Sequence, residues 1–315
     1  MISDELSFTC LDKAKELKGT KMPSKLYRYR SLETADGFAR TIHSIRSGTI
    51  YCARGCDLND PFELQAGLSS KSIVDYFGQS EALKLLYTSI LSKHYDEEKF
   101  SNAINSDNWL EKVMELVFNG DGMAAANYAI MPEIELLNDR YKEIFSIARI
   151  ACFTEKSDNL PMWANYSDNH KGICLEYDVG CLEQTITNEI YPVNYTSELF
   201  DAVKFGFEQQ RKQQLLPIGL MHYLCTQKLK DWEYEKEWRY IFHPGTKYPH
   251  NNIPLDYRNR GEEVIFSQPS KIILGNKIST GVESELRRVA DEQKIIITKM
   301  KITPYGLEED TARLV

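Results

Sequence analysis

The sequence predicts an α+β fold: a mixed, mostly antiparallel sheet with helices packed on it and a helical insertion over residues 70–145. Three observations carry this. Short runs with period-two alternation recur at both ends of the chain, as strands require. Helix-type spacing of apolar residues dominates the middle. No low-complexity segment, internal repeat or strong linker divides the chain, so residues 1–315 are expected to form a single domain containing the insertion.

Composition sets the outer limits. The 315 residues are 42% hydrophobic and 27% charged, a globular balance. A net charge of −8 and a pI near 5.4 exclude a generally nucleic-acid-binding surface and leave only a local basic cleft. The cysteines number seven, an odd and scattered set that reads as reduced thiols in a cytoplasm. The opening Met1-Ile2-Ser3-Asp4-Glu5-Leu6 has neither the basic segment nor the apolar stretch of a signal peptide, and no apolar run is long enough to span a bilayer.

Residues 1–22 are polar and lysine-rich and suit a short helix or a loose arm. Leu26 to Arg30 alternates Tyr27 and Tyr29 with Arg28 and Arg30, a strand. Phe38, Ile42 and Ile45 fall at helical spacing within 36–47, with Ser47-Gly48 as the stop. Gly48 to Ala53 is a second strand, and Asp57 to Glu63 is dense in turn formers. Residues 73–91, 109–117 and about 123–141 have helical patterns, the last interrupted near Pro132. Strands follow at 146–154 and 172–178, separated by a short helix that Pro161 opens. Residues 190–195 are extended and 197–229 helical, broken at Pro217. Asp231 to Phe242 alternates throughout and is expected to be one strand. Trp232, Tyr234, Trp238, Tyr240 and Phe242 share one face, which Lys236 interrupts; Glu233, Glu235, Glu237, Arg239 and Ile241 share the other. Late strands at 264–266, 272–275 and 295–298 flank a helix over 280–292.

Several of these residues could carry chemistry. Arg28 and Arg30 suit oxyanions, because guanidinium pairs bidentately with phosphate; a solvated basic strand face has the same spacing. Asp60 and Glu63 could serve a site or, with Asn59, cap a helix whose first position is Pro61. Trp163 and Tyr166 lie three apart on a short helix, a pair that either stacks a base or nicotinamide ring or pins the helix into a core. His170 with Cys174, and Cys52 with Cys56, have metal-compatible spacings but no second ligand pair, so no metal site is expected. Acidic residues are depleted in strands, and three in register opposite an aromatic face point to a site. Carboxylates so arranged repel unless a cation sits near, and Arg239 is the candidate.

Four stretches taken together resemble a bacterial family catalogued only as a domain of unknown function. They are Leu26 to Leu32, Asn59-Asp60-Pro61-Phe62-Glu63, Met162 to Tyr166 running through His170-Lys171-Gly172, and Trp232 to Arg239. The likeness covers residues 24–245 and implies no activity. A second resemblance is to the arginine–serine–glutamate class of ADP-ribosyltransferases. It rests on Arg28, the Cys152-Phe153-Thr154 strand, and Glu235-Lys236-Glu237 running into Gly245. Only Thr154 stands for that class's Ser-Thr-Ser strand, and the helical insertion separates the first two motifs further than in compact members. The resemblance implies that Arg28 binds the phosphates of NAD, that Glu237 holds the nicotinamide ribose and stabilises the cation-like transition state, and that Glu235 activates the acceptor. Arg30, Thr154, Trp163, Tyr166 and His170 would complete the dinucleotide site.

The sequence therefore points to an NAD-using ADP-ribosyltransferase-like enzyme of the kind a toxin or phage-defence effector would be, acting on an unidentified acceptor macromolecule. One alternative is a metal-assisted nuclease or phosphohydrolase using Asp60, Glu63, His170, Glu235 and Glu237. Another is a non-catalytic nucleotide-sensing or partner-binding module that keeps the Arg28 and Trp163 pocket.

Overall fold

The computed structural model describes residues 22–60, 77–122, 124–125, 146–197, 222, 224–242, 244, 254 and 256–310. The chain divides into two compact units: Met1–Leu6, Gln65–Ile144 and Glu198–Leu220 form the first, and Ser7–Leu64, Phe145–Ser197 and Met221–Val315 the second. The helical segment expected over 70–145 falls in the first unit. Its described helices span Glu81–Leu91, Glu97–Ile104 and Trp109–Phe118, and they gather around Phe100, Ile104, Trp109, Leu110, Val113 and Met114. Ser80 and Asp96 cap the first two by accepting from backbone amides in the first turn. The helix expected over 123–141 lies almost wholly outside the described residues.

The second unit is built on the sheet. Strand β1 (Lys25–Arg30) leads into helix α1 (Ala35–Ser47), which opens on Thr34 accepting from the Gly37 amide at 3.0 Å. The helix ends at Gly48 in the left-handed region (φ 65°), where a side chain would be strained. Strand β2 (Thr49–Arg54) follows. After the first unit's segment the chain returns as β3 (Arg149–Thr154), helix α2 (Leu160–Tyr166), β4 (Ile173–Asp178), β5 (Ile190–Pro192) and β6 (Asn194–Thr196). Next come β7 (Gln227–Leu229), β8 (Glu237–Phe242), β9 (Glu262–Ile265), β10 (Lys271–Leu274), helix α3 (Thr280–Gln293), β11 (Ile296–Thr303) and β12 (Gly306–Asp310).

The sheet runs β12-β11-β10-β4-β1-β3-β2-β9, and β8 lies along β3 with β5 beyond it. Its pairings are antiparallel except β10 with β11, which helix α3 connects. Strands β6 and β7 pair parallel as a separate two-stranded sheet. The architecture is thus α+β with a mixed, mostly antiparallel sheet, as expected.

Both faces of the sheet are buried. Leu26, Phe153, Ile173, Leu175, Tyr177, Trp238, Tyr240 and Phe242 share one core with Ile42 and Ile45 of α1 and Leu286 and Val289 of α3. Phe153, Tyr177 and Tyr240 surround Phe266 at ring separations of 5.3–5.4 Å. On the other face Tyr29, Cys174, Ile273 and Met300 pack beneath Met162 and Trp163 of α2. The double burial explains the near-continuous apolar runs of β4 and β10.

Two expectations are corrected, and one strand has no counterpart in the sequence reading. The strand expected over 231–242 begins only at Glu237, because Lys230–Glu235 winds into a short 3₁₀ helix. Lys236 closes that turn in the left-handed region (φ 46°), which costs a non-glycine residue roughly 1–2 kcal/mol. It is the same lysine that breaks the aromatic stripe in the sequence. The helical pattern over 197–229 ends in strand β7, and Gly306–Asp310 forms a strand that its acidic composition concealed.

Candidate functional site

The site grows from an irregularity of the sheet. Strand β1 touches β3 at one register pair, Tyr27 opposite Thr154, while β2 joins the other end of β3 at Ala53–Ile150 and Arg54–Arg149. Between these contacts the ladder is open over residues 151–153 of β3, on the side away from β8. Arg28 bridges this fork: its Nη2 donates to the Tyr51 carbonyl of β2 at 2.7 Å, and its guanidinium sits 5.9 Å from the Phe153 ring. A cavity of about 310 Å³ lies here, wholly within the second unit. Tyr27, Arg28 and Arg30 line one wall, Cys152 and Thr154 another. Asn59, Tyr166, Lys228, Glu235 and Glu237 complete it.

The carboxylates are brought together by a turn and not by strand alternation. Glu237 starts β8 opposite Thr154. Glu235 ends the 3₁₀ helix, which is tied to β3 by the Thr154 hydroxyl donating to the Glu235 carbonyl at 2.5 Å. Asn159 donates to the adjacent Tyr234 carbonyl at 2.6 Å. Both acids are almost fully buried, 3% and 4% exposed. Lys228 of β7 lies between them, its Nζ 2.6 Å from Glu235 Oε2 and 3.0 Å from Glu237 Oε2. Arg239 grips Glu237 with both oxygens, Nε to Oε1 at 2.8 Å and Nη2 to Oε2 at 2.9 Å. The Tyr166 hydroxyl donates to Glu235 Oε1 and accepts from Asn59 Nδ2 at 2.6 Å. Two motifs far apart in sequence, Asn59-Asp60-Pro61 and Met162-Trp163-Ala164-Asn165-Tyr166, therefore meet at the Tyr166 hydroxyl, which reaches Glu235.

This wiring makes two like residues unlike. Burial pushes both pKa values up. For Glu237 the Arg239 guanidinium and then the Lys228 ammonium outweigh burial and pull the carboxyl down to about 2. Glu235 stays raised, first by burial and next by the charge on Glu237, with Lys228 and Tyr166 opposing. The pair titrates as a unit in which Glu237 holds the permanent charge and Glu235 is the group that can exchange a proton. Arg30 is drawn down to about 10 by burial and by Arg28, and remains a cation at neutral pH. Among the described residues no hydrogen bond or ion pair engages its guanidinium, and Arg30 lines the cavity.

The expected site residues divide. Arg28, Arg30, Thr154, Tyr166, Glu235 and Glu237 all line the cavity. Trp163 does not: it is fully buried, edge-on to Tyr29 at 5.1 Å, with its Nε1 donating to the Ser157 carbonyl at 2.7 Å. His170 stacks on the far side of that indole, ring centroids 6.2 Å apart, and burial and Lys277 lower its pKa. It too lies outside the lining. Glu233 is half-buried and pairs with Lys236 at 3.5 Å. Asp60 is buried beside the cavity without lining it, and Glu63 lies outside the described residues. Among the described residues no three His, Cys, Asp or Glu side chains converge as metal ligands, and no helix is long and apolar enough to cross a membrane.

Lys228 is the site residue that sequence patterning passes over; Asn59 is legible as part of a turn motif, without its bond to Tyr166. Lys228 falls in a stretch with helical patterning, and a buried lysine leaves no local signature.

Residues 162–240 match the family model described as "Protein of unknown function (DUF2971)". The matched stretch contains Tyr166, Lys228, Glu235, Glu237 and Arg239, whereas β1 and the Asn59 turn precede it. No curated protein and no solved structure matches the chain.

Proposed function

We propose that the cavity in the fork is a dinucleotide site at which this chain transfers the ADP-ribosyl group of NAD to an acceptor. One observation carries the reading. The three positions singled out by the ADP-ribosyltransferase resemblance stand on three adjacent strands around one cavity: Arg28 on β1, Thr154 on β3 and Glu237 on β8. Tyr27, Thr154 and Glu237 form a continuous cross-strand row on one face, and Arg28, from the other face of β1, reaches the open fork beside Phe153. A volume of about 310 Å³, at the lower end of ligand pockets, suits one mononucleotide half of the dinucleotide.

The residues take distinct parts. Arg30 and Arg28 receive phosphate oxygens. NAD supplies an activated bond between C1′ of its ribose and the nicotinamide nitrogen. As that bond breaks, nicotinamide leaves with the electron pair and positive charge develops at the sugar. The ionised Glu237, fixed beforehand by Arg239 and Lys228, opposes that charge without rearranging. Glu235, with its raised pKa, accepts the proton of the acceptor as the new bond to C1′ forms. Tyr166 and Asn59 orient it.

A nucleotide-sensing module is the second reading, favoured by the cations that already saturate Glu237. A metal-assisted nuclease would need the same two carboxylates for a metal that Lys228 and Arg239 now replace electrostatically. Incubation with NAD separates these readings. Nicotinamide release that Glu235→Gln and Glu237→Gln abolish, in folded protein and in the presence of a chelator, supports transfer. ADP binding without turnover of NAD identifies the sensor and overturns the transferase.

A further inference from the structure

Lys228 has no part in any motif, yet it occupies the centre of the site. It comes from β7, in the small two-stranded sheet, and is 2% exposed. Its ammonium also lies 4.8 Å from the Trp232 ring. A lysine is held this deep only with a counter-charge, and Arg239 already meets Glu237 through two hydrogen bonds. Of the two carboxylates that Lys228 meets, Glu235 is the closer, at 2.6 Å against 3.0 Å.

We infer that Lys228 is the positioning residue of Glu235: from β7 it holds that carboxylate ionised and fixed towards the cavity. The geometry is a two-point grip. Lys228 takes Oε2 while the Tyr166 hydroxyl of α2 takes Oε1, so the carboxylate cannot rotate. The groups facing Glu235 come from every element packed against it: Glu237 of β8, Lys228 of β7, Tyr166 of α2, and Tyr234 of its own turn. Tyr195 of β6 stands close by, accepting from the Glu237 amide at 2.8 Å. Burial and Glu237 both favour the protonated acid, and the ammonium opposes them. Without it Glu235 would keep its proton and could not receive another.

The kinetic half of this inference rests on the proposed transfer reaction; the structural half does not. The test compares wild type with Lys228→Gln, which keeps a donor but removes the charge, with Lys228→Met, and with the conservative Lys228→Arg. The first readout is the infrared carbonyl band of a protonated carboxyl at neutral pH, assigned by its loss on adding Glu235→Gln. The band should appear in Lys228→Gln and Lys228→Met, and be weak or absent in wild type and Lys228→Arg. The second readout is the pH profile of nicotinamide release, whose acidic limb should move upward by about one pH unit or more in Lys228→Gln and return part of the way in Lys228→Arg. Fully ionised carboxyls in Lys228→Gln, or an unmoved acidic limb, would overturn the inference. If wild type releases no nicotinamide, the transferase reading fails, and the infrared result still decides the role of Lys228.

Discussion

Replacing Glu237 by glutamine should first be felt as instability. Glu237 is 4% exposed and Arg239 fully buried, and two hydrogen bonds of 2.8 and 2.9 Å join them. Glutamine keeps the shape but deprives a buried guanidinium of the carboxylate to which both its Nε and Nη2 donate. Breaking one side of such a pair costs about 3–5 kcal/mol, a large part of a total stability of roughly 5–15 kcal/mol. For a unit of about 200 residues that is a fall in Tm of about 6–20 °C. Removing both partners, as in Glu237→Leu with Arg239→Met, should recover part of the loss, because apolar groups replace the buried pair while Lys228 keeps Glu235 as its counter-charge. Thermal unfolding of Glu237→Leu, Arg239→Met and the double variant closes the cycle and yields the coupling energy. Single variants that each lose less than about 1 kcal/mol, or a double variant no more stable than either, would refute the argument. The practical consequence is that activity measured on Glu237→Gln is interpretable only beside its melting curve.

Stability should also fall with acid in a defined window. The Glu237 pKa is depressed from 4.5 to about 2, so its contribution is complete above the upper value and is lost as pH falls through the lower. Glu235, shifted upward, works in the opposite sense: its contribution is present at low pH and fades as pH rises through its folded pKa. Acid titration of Glu237→Gln should lack the Glu237 loss, and an unchanged acid limb would contradict the assignment. Trp163→Ala should cost about 3–5 kcal/mol of stability, as for a fully buried indole, with ADP affinity preserved in the protein that remains folded. Tyr166→Phe should alter the pH profile of turnover with little loss of stability; the reverse pattern in these two variants would place the ligand on Trp163. Arg30→Gln should weaken ADP binding about ten- to a hundredfold, the loss of one charge-assisted hydrogen bond of roughly 1.5–3 kcal/mol, without moving Tm. Unchanged affinity by calorimetry would remove Arg30 from the site.

Local pattern reached some of this and not the rest. The alternation at 25–30 and 173–178 reports the pleat directly, and Thr34 and Gly48 mark the ends of α1 because capping is a short-range matter. The alternation over 231–242 has two physical sources that look alike in sequence. In β8 it separates Trp238 and Tyr240 in the core from Arg239 on the site face, whereas Lys230–Glu235 is a 3₁₀ turn in which the Trp232 and Tyr234 rings lie 6.2 Å apart. Glu235 and Glu237 share no strand face, and they converge because the chain turns at Lys236. Trp163 and Tyr166 share a helical face, and nothing local decides which meets the cavity; Tyr29 and His170 decide it by enclosing the indole. The role assigned to Arg239, pairing with a neighbouring acid, followed from its place two residues after Glu237. Lys228 leaves no local signal because its burial is created in part by β6 and α2, which lie more than thirty residues before it.

The central claim, that the fork between β1 and β2 is a site for glycosyl transfer from NAD, is tested most directly by quantifying nicotinamide released from NAD by the purified full-length chain. The account expects release from wild type that Glu235→Gln reduces by at least about a hundredfold, within the range that a positioned base contributes, while ADP affinity stays within a few-fold of wild type. An equal rate in wild type and Glu235→Gln, or no release from a folded wild type that binds ADP, would contradict it.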